Sequence, residues 1–130
     1  MSSKKILCID DSVDTCEMVS VMLGSAGYEV AQATSVAEGL RLAKKMNFDL
    51  ILLDWVLNDG TGVELCQMIR AFDTDTPIIF YSGVAYQSKI KEAMKAGAQG
   101  FLIKPVPNET LIDTVSRFVN GDPGQDQNVT

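Results

Sequence analysis

Apolar and polar positions alternate in two rhythms along these 130 residues, and the rhythm changes about every ten to fifteen positions. Lys4 to Asp10 (KKILCID) is a short apolar run that ends on a carboxylate. Val13 to Ala26 has helical character, with Asp11 or Ser12 as its cap and Gly27 as its stop. Tyr28 to Ala33 (YEVAQA) alternates as a half-exposed strand does, which predicts a place near a sheet edge. Ser35-Val-Ala-Glu38 reads as a capping box that opens a helix to about Lys45, with Val36, Leu40 and Ala43 on one face. Asp49 to Asp54 (DLILLD) is apolar without alternation, as expected of a strand covered on both sides.

The second half repeats the scheme. Asn58-Asp-Gly60 reads as a turn, and Thr61-Gly-Val-Glu64 as a second capping box, opening a helix to about Phe72 that buries Val63, Cys66 and Ile69. Thr76 to Ser82 (TPIIFYS) is the fourth strand, with Pro77 near its start, where a missing N–H is tolerated. Ile90, Ala93, Met94 and Gly97 follow helical spacing, although VAYQSKIK (84–91) opens that helix without a capping box. Gly100 to Lys104 (GFLIK) is the fifth strand, and Asn108 is read as the cap of a last helix carrying Leu111, Val115 and Phe118. Five strand–helix pairs in alternation predict an α/β domain, a five-stranded parallel sheet doubly wound in the flavodoxin-like order 2-1-3-4-5 with helices on both faces. The domain is expected over residues 1–120, followed by a polar tail at 121–130.

Composition narrows the function classes. Hydrophobic residues make up 46% of the chain and charged residues 22%, values typical of a globular domain. The net charge of −6 and the lack of any basic cluster argue against a nucleic-acid face. Histidine is absent, which removes serine-type triads and His-ligated metals. Cys8, Cys16 and Cys66 lack metal-ligand spacing and read as reduced core thiols. Only four apolar residues in a row, Ile6 to Ile9, precede the first aspartates, and no run approaches a membrane span. A cytoplasmic protein without membrane contact is the expectation.

In an open parallel sheet, ligands bind beyond the carboxyl ends of the strands at the point where the strand order reverses. The predicted strands deliver Asp10 and Asp11, Asp54, Ser82 and Lys104 to that edge. Each alone has a plain reading: Asp11 as a helix cap, Asp54 or Ser82 as turn residues, Lys104 as a solvated lysine. Their convergence on one crevice is what needs explaining. Three carboxylates repel one another and want a hard cation, and few oxygen ligands with room for water suit Mg²⁺. A lysine and a hydroxyl opposite the metal suit a phosphoryl group. Together they describe a carboxylate nucleophile that accepts phosphoryl.

The stretches ILCIDD, DLILLDWVLNDGTG, PIIFYSG and AGAQGFLIKP resemble the receiver domain of two-component response regulators, over about Lys4 to Asn120. That resemblance implies Asp54 as phosphoacceptor and Asp10, Asp11, Asp54 and the Val56 backbone carbonyl as Mg²⁺ ligands. It implies Ser82 as switch hydroxyl, Lys104 as phosphate-pairing cation, Phe101 as an aromatic that changes rotamer, and a cis bond before Pro105. The implied function is a phosphorelay switch rather than a metabolic enzyme. The partners would be a histidine kinase or histidine phosphotransfer protein, and a downstream protein docking on the face of the fourth helix, fifth strand and fifth helix. On phosphorylation Ser82 is drawn in and Phe101 follows into the vacated space. Asn58 stands where the family often has proline, which is expected to loosen the loop that Trp55 begins.

Rival readings meet specific residues. A haloacid-dehalogenase-type phosphatase needs a second aspartate two residues after its nucleophile, where this chain has Val56. A flavin mononucleotide site needs a neutral loop after the first strand, where DDSVDT is acidic. No nucleotide-binding glycine motif occurs. A receiver-like module that docks proteins without being phosphorylated is the alternative left standing. The chain reads as a stand-alone regulator or as a piece of a hybrid kinase or longer regulator.

Overall fold

A computed structural model describes residues 3–83 and 86–121. The chain runs β1 (Lys5–Ile9), α1 (Val13–Ser25), β2 (Glu29–Ala33), α2 (Val36–Lys45), β3 (Leu50–Leu53), β4 (Val56–Leu57), β5 (Gly60–Thr61), α3 (Gly62–Arg70), β6 (Ile78–Ser82), α4 (Gln87–Ala96), β7 (Gly100–Ile103) and α5 (Asn108–Val119). Five strands form one sheet in the order β2-β1-β3-β6-β7, with every pairing parallel. This is the expected doubly wound order, once β4 and β5 are set aside as a separate two-stranded hairpin.

Strand side chains point to opposite faces in turn, so a strand covered on both sides feeds two cores. Leu7, Ile9, Ile51, Leu53, Phe80 and Phe101 pack on one face with α2, α3 and α4. Ile6, Cys8, Leu50, Leu52, Ile79 and Leu102 pack on the other with Cys16, Val19 and Leu23 of α1 and Leu111, Val115 and Phe118 of α5. That is why DLILLD shows no alternation: all four residues of β3 are buried. The edge strand β2 is covered incompletely and keeps its alternating polar positions.

Caps mostly follow the sequence. Ser12, not Asp11, caps α1, accepting from Thr15 N at 3.2 Å. Thr61 and Glu64 form the full capping box of α3, whose helix ends at Arg70 rather than Phe72. Ser35 caps α2 by accepting from Glu38 N, but Glu38 reaches back to Thr34 N instead of closing the box. The last helix corrects the expectation. Its N-cap is Pro107, Asn108 is already its first residue, and no side chain caps it. Proline's fixed φ leads the chain into the helix, so Asn108 lies one position too late to cap it.

The stretch after Asp54 also differs from the expected loop. Val56–Leu57 pairs antiparallel with Gly60–Thr61, so the NDG turn closes a short hairpin. Asp59 in that turn accepts from Val36 N at 2.6 Å and Ala37 N at 3.1 Å, and these bonds hold its carboxyl below the usual carboxylate range. Asn58 adds a bond to Thr34 O at 3.4 Å. The hairpin is therefore pinned to the start of α2, where helix N–H groups are otherwise unpaired. Trp55 does not begin a loose loop: it is 6% exposed and packs on Phe80 with ring centroids 5.6 Å apart. The tail residues 122–130, and Val84 and Ala85 before α4, lie outside the described residues.

Candidate functional site

Ladder hydrogen bonds fix the backbone of Asp10 and Asp54 at the sheet's carboxyl edge. Asp10 N donates to Ala33 O at 3.0 Å and Asp54 N donates to Ile9 O at 2.9 Å, so the two residues leave neighbouring strands at the same level. Lys104 N, just beyond β7, donates to Ser82 O at 2.9 Å. The sheet thus brings together Asp10, Asp11, Asp54, Ser82 and Lys104 from four strand ends. One oxygen from each of the three aspartates lies within 4.8 Å of the others.

Electrostatics differ among them. Asp10 is 2% exposed, accepts Ser12 N at 2.9 Å through Oδ1, and holds Lys104 Nζ at 2.7 Å through Oδ2. Asp11 is exposed, at the rim. Asp54 is half-buried: Oδ1 accepts Trp55 N at 2.7 Å, Oδ2 lies 3.6 Å from Lys104 Nζ, and the Ser82 hydroxyl also bonds its carboxylate. Burial first, then the charge of Asp10, push the Asp54 pKa above its usual value despite Lys104 and these hydrogen bonds. Burial works against the Lys104 ammonium, but its bond to Asp10 and the charges of Asp54 and Asp10 win, and its pKa is raised. The ammonium also lies 5.3 Å from the Tyr81 ring centroid.

Three hard oxygen donors face one ammonium, and one of the carboxylates, Asp54, is penalised by burial and then by the charge of Asp10. That donor set fits a small divalent cation such as Mg²⁺ and no soft metal. The three thiols are buried and free, apart from the cluster's oxygens in character. Val56 starts β4 with its side chain to solvent, 55% exposed. The Lys104–Pro105 bond is cis.

Two positions expected to move are already inside. Ser82 is 1% exposed and engaged with Asp54, and Phe101 is 1% exposed, stacked on Phe80 at 5.8 Å between centroids. Phenylalanine has no hydroxyl to keep wet, so nothing opposes its burial. The expected inward movement of these two has no outward starting point in this conformation.

The tertiary partners of three residues near the site were not legible in the sequence. Asp59 looked like a turn residue because its partners lie 22 and 23 positions upstream. Trp55 looked like loop because its packing partners come from β6 and α4. Gly62 opens α3 so close to Asp54 that a Cβ there would overlap the Asp54 carbonyl oxygen and come within 2.9 Å of Phe80.

A five-stranded parallel sheet that gathers these aspartates, a hydroxyl and a lysine at its switch point is the arrangement of a receiver domain. The chain belongs to the response regulator receiver domain family, whose model matches residues 6–116. It is similar to the chemotaxis protein CheY of Thermotoga maritima, 29% identical over 115 residues, covering 88% of this chain and 96% of that protein. It is 36% identical over 116 residues, 89% of its length, to the response regulator protein PilR of Pseudomonas aeruginosa, of which it spans only 26%. A CheY-like receiver domain structure from Methanospirillum hungatei superposes with a TM-score of 0.89 at 28% identity, covering 92% of this chain and 96% of that one. No helix among the described residues is long and apolar enough to cross a membrane.

Proposed function

We propose that this receiver domain is a phosphoryl-accepting switch in which Asp54 is the acceptor. The observation that carries the reading is the convergence of Asp10, Asp11 and Asp54 within 4.8 Å beneath the Lys104 ammonium. Asp10 and Asp11, with Asp54 and the Val56 carbonyl, would hold Mg²⁺. When bound, the ion supplies positive charge that screens the acceptor from an incoming phosphoryl group.

The residues' own tasks follow from their surroundings. Burial and Asp10 leave Asp54 more basic than an ordinary carboxylate, which makes it the better nucleophile. An Asp54 oxygen forms the new bond to phosphorus while the bond from phosphorus to the partner's histidine nitrogen breaks, and that nitrogen keeps the electron pair. Trp55 N–H and the Ser82 hydroxyl orient the carboxylate, and Lys104 stands ready to pair with phosphoryl oxygens. The donor would be a histidine kinase or a histidine phosphotransfer protein. The readout face would be α4, β7 and α5, where a downstream protein docks. Phe101, already inside, acts there as a packed wedge under the face. The work is that of a switch in the cytoplasm rather than of a metabolic enzyme.

The test is intact-mass measurement after incubation with Mg²⁺ and acetyl phosphate. Wild type should gain one phosphoryl group and Asp54→Asn none, since an amide is a poor nucleophile. Equal labelling of both would remove Asp54 from the reaction.

A further inference from the structure

The start of α4 lacks a side-chain cap and a favourable charge. Its N-cap Tyr86 makes no side-chain cap bond, is 72% exposed, and no acidic residue stands in the first turn. Its far end is held firmly. Gly97 closes the helix at φ 118°, and Arg70 from α3 donates to Gly97 O at 3.0 Å. The same guanidinium donates to Asp73 O, Thr76 O and Gln99 Oε1 at 2.8–2.9 Å, which ties that end to β6 and the turn into β7. A helix fixed at one end and uncapped at the other needs something to seat the free end.

Ile90, 8% exposed, buries the inner side of that turn in the core, and one charged side chain adds a second tie. Lys89, in the first turn, places its ammonium 5.2 Å from the ring centroid of Trp55. Trp55 is the residue after Asp54, and its N–H holds Asp54 Oδ1 at 2.7 Å. Its ring continues through Phe80 to Phe101. We propose that Lys89 is a positioning residue of the acceptor site, seating the first turn of α4 on the Trp55 indole and so linking the state of Asp54 to that helix.

The linkage part rests on Asp54 being the acceptor; the seating does not. Lys89 is 42% exposed and its other partner, Glu92 at 3.8 Å, lies on the same helix, so the indole is its tie to the sheet. A partly exposed cation–π contact is strong enough to shift a local opening equilibrium about two- to fivefold, and weak enough to be reset by charge arriving at Asp54. Such a contact positions without locking.

Lys89→Met keeps the apolar stem and removes the charge. It should speed hydrogen exchange of the amides of residues 90–93 about two- to fivefold and raise acrylamide quenching of Trp55. Lys89→Arg should restore both, and Lys91→Met, exposed on the same helix, should change neither. With Mg²⁺ and acetyl phosphate, the exchange change in α4 should be smaller in Lys89→Met than in wild type. Unchanged exchange and quenching in Lys89→Met would overturn the seating, whatever the state of Asp54. Faster basal exchange with an undiminished phosphodonor response would overturn the linkage. If wild type takes no phosphoryl group, the acceptor reading fails and the linkage falls with it, while the basal exchange still decides the seating.

Discussion

Replacing Gly62 with alanine puts one methyl group against the backbone of Asp54, the proposed acceptor. Gly62 is the first residue of α3, and its N–H donates to Trp55 O at 2.7 Å, so it cannot swing away without breaking the link behind Asp54. The added Cβ would overlap the Asp54 carbonyl oxygen, stand 3.1 Å from its carbonyl carbon and 2.9 Å from Phe80 Cε2. None of these is the end of a flexible side chain. Phe80 is 0% exposed and lies between Trp55 and Phe101, and the Asp54 backbone is tied to β1. Overpacking costs about 1–3 kcal/mol where side chains absorb it, and backbone against backbone belongs at the upper end. At about 2.1 cal/mol/K of unfolding entropy per residue, 130 residues give about 0.27 kcal/mol/K, so about 3 kcal/mol lowers Tm by about 11 °C. Because the strain falls on Asp54 itself, the rate of phosphoryl acceptance should fall by more than stability explains, up to about 10²-fold for a shift near 1 Å. Gly24→Ala is the control, since nothing lies within 4 Å of its added Cβ inside α1; it should raise Tm by about 2–4 °C. Thermal melting by circular dichroism and acetyl-phosphate labelling rates measure both. A Gly62→Ala protein that melts and labels like wild type would show that the close approach constrains nothing.

Mg²⁺ at ten times its Kd should stabilise the fold by about 1.4 kcal/mol, or about 5 °C in a melting scan, and Asp10→Asn should erase that rise. Without metal the two aspartates should differ. Asp54→Asn should melt higher, because a carboxylate whose pKa the fold raises is penalised when ionised, whereas Asp10→Asn should melt lower, because it removes the shorter, more buried of Lys104's two ion pairs. The three cysteines should be silent to a thiol reagent in the native protein at neutral pH and all react after denaturation, and early reaction of any one would contradict its burial. Burial raises the Cys66 pKa to about 11 from its ordinary 9.0, so the native state keeps a proton that the unfolded chain releases as pH rises. Stability is therefore unaffected by this thiol below about pH 9 and falls between about 9 and 11, by no more than about 3 kcal/mol. Denaturant melts of Cys66→Val should show a shallower loss over that window, and an unchanged slope would refute the cause.

Sequence determined whatever depends on neighbours along the chain. The rhythm of apolar positions marked all five sheet strands and all five helices, because burial on one stripe or on both faces leaves a periodic trace. Alternating strand and helix then left few topologies, and the rule for parallel sheets located Asp10, Asp11, Asp54, Ser82 and Lys104 at one edge. The capping box of α3 was legible because its partners, Thr61 and Glu64, sit three residues apart, whereas that of α2 stays open because Glu38 takes Thr34 N instead. What only the tertiary structure decided has partners far away in the chain. Asp59 caps a helix it does not precede, Lys104 chooses Asp10 at 2.7 Å over Asp54 at 3.6 Å, and Trp55 is buried by Phe80 and covered by Lys89. Phe101 lies inside rather than out because its pocket is made by Phe80 from the neighbouring strand. These contacts are chosen by packing in three dimensions, where a residue's nearest partner can be 94 positions away, as Asp10 is from Lys104.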